Sequence, residues 1–365
     1  MMSSRTERPD APAISVVVST YNRADRLPLA LQAIGRQKGD IPYEVIVVDN
    51  NSTDETASVV AAIVADDDRM RYVFEPQQGL SYGRNTGIAL ARAPIVAFSD
   101  DDVRVAEDWI LELKRAFDDH PDIDYVGGRV LPCWIEPPPA WLTSSHWSPL
   151  AVQDYGSTPV VSGPDHAVCL VGASLAFRRT VFEKVGLFSP ALGRIKDGIG
   201  STEDHEMQLR VWRAGMRGLY APSVLAVADV TADRLSKSYH RRWHTGHGRH
   251  CAMMRLREFV PSDLGPLSQP QDLVMLFGSP AFVYSELIRC GRRWLRAVYR
   301  REDALFYSHQ IRHLASYIQT RASIHSRETG HSVVSQLTAF ARAYVAKKVR
   351  RRTGPQTTSG SVGKA

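Results

Sequence analysis

Three consecutive carboxylates, Asp100-Asp101-Asp102, follow the apolar run PIVAFS at residues 94–99. Carboxylates this close repel one another until a cation or hydrogen-bond donors neutralise them. With water they form the hard oxygen ligand set that Mg2+ or Mn2+ prefers, and such an ion often completes its shell with phosphate oxygens. Taken alone, the triplet also suits a solvated acidic loop or a helix cap ahead of Glu107. A second acidic pair, Glu203-Asp204, opens the helical pattern EDHEMQLRVWRAG, where helix capping is sufficient reason for both. His240, His244, His247 and His250 with Cys251 lie at helix-like spacings. Neither a second cysteine nor an inner carboxylate completes a zinc set, and Gly246 and Gly248 weaken the helix. The cluster reads as a basic, polar lip rather than a zinc site.

The elements that must position these residues alternate strand and helix. Residues 14–20 (ISVVVST), 44–49 (EVIVVD), 71–74 and 94–99 are apolar, β-branched runs of buried-strand length. Between them Leu27, Ala30, Leu31 and Ile34 recur at helical spacing, as do Ala57, Val60, Ala61 and Val64 after Ser52-Thr53-Asp54-Glu55. Residues 82–91 and 107–117 also read as helices, and 125–131 as a strand. The alternation predicts βαβ units and an α/β fold with a doubly wound, mostly parallel sheet. Such sheets bind ligands beyond the C-terminal ends of their strands. Those ends read Ser19-Thr20-Tyr21-Asn22, Asp49-Asn50-Asn51-Ser52 and Asp100-Asp101-Asp102, all polar.

After residue 131 the pattern changes. Residues 132–149 hold five prolines and three tryptophans and read as a loop. Trp134, Trp141 and Trp147 suit either sugar stacking or pinning of that loop to the core. An extended stretch at 167–177, a helix from Arg179, a helix near Glu203 and one or two strands at 218–228 follow. Beyond Arg234 the chain reads as helical, and residues 353–365 as a disordered tail.

Composition excludes several classes. Hydrophobic residues are 44% and charged residues 23% of 365, which rules out wholesale disorder and coiled coil. The four cysteines, Cys133, Cys169, Cys251 and Cys290, are scattered, so a reducing cytoplasm is expected rather than a disulfide scaffold. The polar N-terminus, expected flexible over residues 1–12, lacks an apolar signal segment, and no apolar run reaches membrane-spanning length. The net charge of +6 divides unevenly: residues 1–234 carry 23 Lys/Arg against 32 Asp/Glu, residues 235–365 carry 22 against 7. An acidic front suits metal and carboxylate chemistry, and a basic tail suits anionic partners. Val334, Leu337, Ala341, Tyr344 and Val345 lie along one helical face ahead of a basic cluster at 347–352, so this tail is expected on the inner face of a membrane, with residues 273–288 as a second contact. The competing reading is a helical subdomain packed on the core. Nucleic acid is not an expected partner. A Gly-rich dinucleotide fingerprint and a phosphate loop are both missing after the first strand, where Thr20-Tyr21-Asn22-Arg23 stands.

The segments VVVSTYNRADRL, VIVVDNNSTDET, GLSYGRNTGIALARAPIVAFSDDDV and STEDHEMQLRVWRAG, in this order and spacing, resemble the family-2 glycosyltransferases with the A-type nucleotide-sugar (GT-A) fold. The likeness covers residues 13–245. It implies a nucleotide-sugar-binding half at 13–131 and an acceptor-binding and catalytic-base half at 132–234, while residues 235–352 read from their own pattern as a helical basic extension. It further implies that Thr20 and Tyr21, with Asn22 and Arg23, cradle the nucleotide and that Asp49 hydrogen-bonds the base, typically uracil. Arg84 and Asn85 would shape the pocket. Asp100 and Asp101 would face the donor, Asp102 with Asp101 would hold Mg2+ or Mn2+, and Asp204, beside Glu203, would be the general base.

The implied reaction is inverting transfer from a nucleoside-diphosphate sugar, a UDP-sugar by preference, to a saccharide or lipid-linked acceptor in cell-surface polysaccharide or glycoconjugate synthesis. One position departs from the pattern: where relatives often place a metal-binding histidine, this chain has Asp229, whose carboxylate is a further candidate ligand for Mg2+ or Mn2+, the alternative being a metal held by Asp102 and diphosphate alone. The Gln-x-x-Arg-Trp signature of processive synthases is half present, with Arg242-Trp243 but Tyr239 at the Gln position, so single-sugar transfer is expected. A catalytically inactive nucleotide-sugar or glycan-binding module on the same fold is the alternative. A nucleotidyltransferase is a poorer reading, because the first strand lacks a following Gly-rich basic loop.

Overall fold

The computed structural model describes residues 11–196, 198–199, 202–254, 273–300, 303–330 and 334–343. Strands β1 (Ile14–Thr20), β2 (Tyr43–Asp49) and β4 (Ile95–Asp100) are buried along nearly their whole length, as strands covered by helices on both faces must be. β1 pairs in parallel with β2 on one side and β4 on the other, and β3 (Met70–Phe74) adds beyond β2. Past β4 the sheet turns mixed. β8 (Ser174–Arg178) lies antiparallel between β4 and β6 (Tyr125–Trp134), and β6 runs parallel to β9 (Gly218–Val230). The short strands β5 (Val103–Val105) and β7 (Val160–Ser162) pair with β9.

Alternation along β1 builds two cores. Val16 and Val18 face α1 (Leu27–Gly35), α2 (Thr56–Asp66) and α4 (Trp109–Asp119), through Leu31, Val60 and Trp109. Val17 faces the other way, with Ile88 of α3 (Leu80–Leu90), Phe182 of α5 (Arg179–Val185) and Met207 and Trp212 of α6 (Glu203–Arg213). The chain reverses its direction of sheet growth at β1, since β2 and β3 lie on one side and β4 on the other. That reversal opens a crevice between the ends of β1 and β4, where Ser19 pairs with Asp100.

Some boundaries differ from the sequence expectation. The second helix begins at Thr56 rather than Ser52, because Asp49 accepts the Ser52 N–H and Asn22 accepts the Thr53 N–H, holding 52–53 in a turn. Residues 132–134, expected as loop, extend β6 against β9. Beyond Arg234 the chain is helical: α7 (Lys237–Met253), α8 (Ala281–Arg300) and α9 (Ala304–Thr329). They share a small core of Ala252, Val283, Cys290, Leu314 and Tyr317. Gly248 does not break α7. A Cβ there would sit 2.2 Å from the His313 carbonyl oxygen, so glycine permits the close approach of α9. Residues 334–343 are also helical, with Val334 and Leu337 exposed. Tyr344, Val345 and the basic run 347–352 lie outside the described residues. Among the described residues, no helix is long and apolar enough to cross a membrane.

Candidate active site

The crevice at the β1/β4 switch widens into a cleft with two connected chambers. The first is lined by Thr20, Tyr21, Asn22, Arg23 and Asp100-Asp101-Asp102. The second, about 590 Å³, is lined by Arg84, Gly172, Glu203, Asp204, Tyr239 and Trp243 among others. Arg23, Asp100, Ala173, Arg194 and Arg234 face both. The cleft therefore brings the triple acid of one segment to the Glu203-Asp204 pair of another.

Arg84 ties these acids together. Its guanidinium, on α3 and buried, donates from Nη1 to Glu203 Oε1 at 2.8 Å and from Nη2 to Asp100 Oδ1 at 3.2 Å. The Phe98 and Phe188 rings lie 5.8 and 5.5 Å from it. Gly172 leaves room for it, because a Cβ there would lie 2.6 Å from Nη2. Glu203 is buried, and burial with the charge of Asp204 pushes its pKa up to about 7 while Arg84 opposes that rise. Asp204, half-buried at the first turn of α6, accepts from the Gly172 N–H at 3.0 Å and from the His205 N–H at 2.8 Å. These backbone donors orient its carboxylate on the second chamber's wall. The pair is thus divided: Glu203 points into the ion network, and Asp204 borders the cleft.

At the triple acid, burial and the Asp102 charge push Asp101 up to about 7, with Thr20 and Arg23 opposing. This marks a carboxylate cluster short of positive charge. Arg234, following β9, donates to Asp102 Oδ2 at 2.9 Å, and Arg23 Nε lies 3.9 Å from Asp101. The Asp229 N–H donates to the Asp102 carbonyl oxygen at 3.0 Å, so Asp229 sits beside the triplet, but its carboxylate accepts from Arg104 at 2.6 Å. Among the described residues, no three His, Cys, Asp or Glu side chains converge into a closed cage. Asp101 and Asp102 nevertheless fit a hard divalent ion of the kind that takes its remaining ligands from phosphate and water.

Other expected residues are placed as follows. Asn22 adopts φ 51° and accepts from the Thr53 N–H at 2.7 Å, so it shapes the turn after β1. Asp49 is buried, with its oxygens accepting from the Ser52 N–H and the Tyr72 hydroxyl, each at 2.9 Å. Asn85 clamps the Phe188 backbone, donating to its carbonyl at 2.9 Å and accepting from its N–H at 3.0 Å. It holds the segment that brings Arg194 over the cleft. Asn50, which the sequence placed only among the polar strand ends, and Gln78, Arg194, Lys196 and Arg234, which it missed, are all on the first chamber's wall. Asn50 Oδ1 accepts from the Gly79 N–H at 2.6 Å and so fixes the start of α3.

The histidine cluster corrects one expectation. His240 and His244 are buried rather than forming a basic lip. His240 and His244 stack on His309 of α9 at centroid distances of 5.9 and 4.8 Å, and His247 lies 4.4 Å from the Trp243 ring. Desolvation lowers the pKa of His240 to about 4 and of His244 to about 2, leaving both neutral. Of the four, only His247 reaches the second chamber. Trp134, Trp141 and Trp147, all half-buried, pack against the β1 core.

The fold is that of an α/β protein with a cleft at an acidic sheet switch point. Residues 15–186, 172 of the 365 residues, match the family model described as Glycosyl transferase family 2. Among its relatives is a glucosyl-dolichyl phosphate glucuronosyltransferase of Haloferax volcanii, 26% identical over 210 residues, 57% of this chain and 66% of that protein. Another is a GalNAc(5)-diNAcBac-PP-undecaprenol beta-1,3-glucosyltransferase of Campylobacter jejuni, 40% identical over 93 residues, 25% of this chain and 30% of that protein. The alignment thus spans just under two thirds of the first relative and under a third of the second. Among solved structures, a Pyrobaculum calidifontis mannosyltransferase in complex with GDP-Man and Mn2+ superposes with a TM-score of 0.48 at 20% identity, covering 94% of this chain and 83% of that one.

Proposed function

We propose that this chain is an inverting glycosyltransferase that moves a single sugar from a nucleoside diphosphate, UDP by preference, to an acceptor hydroxyl. The observation that carries this reading is the pair of adjoining chambers, one lined by Asp101 and Asp102 and the other by Asp204, with Asp100 on the wall of both and Arg84 bonded to Asp100 and Glu203. In this account Thr20, Tyr21 and Arg23 line the donor chamber, with Asp49 behind them at the base end. Asp102 and Asp101 would hold a divalent ion, which when bound would supply Lewis-acid charge to the diphosphate. Arg234 and Arg194 add fixed positive charge there. Asp204 accepts the acceptor's hydroxyl proton as the oxygen attacks the anomeric carbon. The bond from that carbon to the phosphate oxygen breaks with its electron pair leaving on the diphosphate, and the configuration inverts.

The second chamber is the acceptor space. The names of the two relatives, with their dolichyl and undecaprenol carriers, support a lipid-linked acceptor. A lipid-linked acceptor and the basic C-terminal region, residues 235–365, together support work at the cytoplasmic face of a membrane. The test is a panel of nucleotide sugars with Mn2+ and lipid-linked or free saccharide acceptors, read by nucleoside diphosphate release and product mass. Turnover supports transfer, whereas tight nucleotide binding without turnover under every acceptor would establish an inactive binding module.

A further inference from the structure

Helix α8 carries on one side what holds it to the protein and on the other what the protein does not use. Val283, Cys290 and Ala297, seven residues apart, form its buried stripe. On the opposite side Ile288, Leu295 and Tyr299 recur at helical spacing and are 57, 61 and 89% exposed, with Val298 beside them at 51%. Arg289, Arg292, Arg293 and Arg296 follow in the adjoining arc, all exposed. The helix contains one acid, Glu286, which pairs with Arg289. An apolar strip bordered by a row of arginines, left bare on a helix whose inner face is already packed, needs a partner that is apolar and anionic at once.

We infer that this outer face of α8 lies in the headgroup region of an anionic lipid surface, with Ile288, Leu295, Val298 and Tyr299 entering the acyl boundary and the arginines reaching phosphate. Long arginine stems place the charge at headgroup level while the strip is buried. Charge complementarity favours this occupant over a second copy of the chain, since two such faces across a two-fold axis would oppose like charges. A nucleic acid would satisfy the arginines but leave the aliphatic strip without a partner. The inference deepens the membrane half of the function proposed above by naming the contact element within the described chain. It orients the cleft-bearing domain through the helices packed on α8.

The test uses the full-length chain and sedimentation with vesicles of phosphatidylcholine alone or of equal parts phosphatidylcholine and phosphatidylglycerol, without nucleotide. Wild type should pellet with the mixed vesicles at low salt and stay in solution with the neutral ones. Leu295→Ser with Tyr299→Ser should weaken binding at least tenfold, and Arg292→Glu with Arg296→Glu roughly 30-fold or more, given the contribution of each basic residue near an anionic surface. All four side chains are exposed, so thermal unfolding should stay at the wild-type value. Turnover with a water-soluble acceptor should also be unchanged, which keeps a failure here separate from a failure of the transferase reading. Wild-type vesicle binding by both double variants would overturn the proposal. So would a dimer, by light scattering, that only the variants dissociate, or duplex DNA binding that the arginine variant loses and vesicle binding does not.

Discussion

The Arg234 guanidinium lies 2.9 Å from Asp102 Oδ2, the carboxylate proposed to hold a divalent ion. Both side chains are largely buried, at 12 and 10% exposure. The arginine therefore neutralises Asp102 when no other cation does, and it competes with one that arrives. Once a donor is bound, its diphosphate offers the same guanidinium an alternative partner. Arg234→Gln should consequently have effects of opposite sign. Affinity for Mn2+ alone, measured by titration calorimetry, should rise several-fold. Affinity for a nucleoside diphosphate in saturating Mn2+ should fall roughly tenfold, about 1.4 kcal/mol for a lost charge-assisted contact. A change of the same sign in both would refute the exchange.

Arg84 is the positive centre of the network joining Asp100 to Glu203. Arg84→Met leaves two carboxylates without their partner, and breaking a buried pair in this way costs about 3–5 kcal/mol. We expect a clear drop in the thermal midpoint together with loss of turnover. Arg84→Lys should recover part of the stability but little turnover, because one ammonium cannot fork to both acids. Denaturant unfolding with a parallel activity assay checks this, and a fully active lysine variant would contradict it.

Asp102→Ala and Asp101→Ala should each remove nearly all turnover and weaken Mn2+-dependent nucleotide binding. Nucleotide affinity measured with and without chelator separates the roles. If neither variant changes the chelator effect, the ion is not held by these carboxylates.

The stacked histidines set an acid limit on the C-terminal helices. Burial lowers His309 and His313 to about 4, as it does His240. The sign follows from linkage: the unfolded chain takes up protons from about pH 6.5 downward while the folded one does not until about pH 4. Their contribution is complete above pH 6.5 and is lost as pH falls toward 4. Asp101 and Glu203, both raised to about 7, act in the opposite sense, since their stabilisation is present at low pH and lost as pH rises through 7. Comparison with a variant isolates the histidine part. Neither ring nitrogen of buried His309 has a hydrogen-bond partner, so His309→Leu should be neutral or stabilising by about 1 kcal/mol at pH 7.5. It should also lose less stability than wild type between pH 6.5 and 4.5. Thermal unfolding across that range decides, and parallel pH profiles would contradict the assignment.

The parts of the fold legible in sequence were those with long, regular patterns. ISVVVST and EVIVVD announce β1 and β2 because both of their faces are buried, and the triple acid falls at a strand end where a ligand site belongs. The three-residue strands β5 and β7 carry too little periodicity to be seen. Arg234 was missed because its importance comes from β9 pairing with β5, which sets Asp229 beside Asp102 and brings the following turn over the cleft. The buried histidines were misjudged for a related reason: nothing local to α7 shows that α9 will cover them. Asn85 stands in a motif that suggested pocket contact, yet its amide holds the Phe188 backbone, a partner 103 residues away.

The central claim, that Asp204 removes the acceptor proton in a sugar transfer from a nucleoside diphosphate, is tested most directly by Asp204→Asn under the donor and acceptor that wild type turns over. The amide preserves the side chain's shape and most of its contact with the Gly172 N–H. Nucleotide affinity should therefore remain within a few-fold of wild type while turnover falls by roughly 10²-fold or more. Wild-type turnover in this variant would make Asp204 a helix cap and contradict the account.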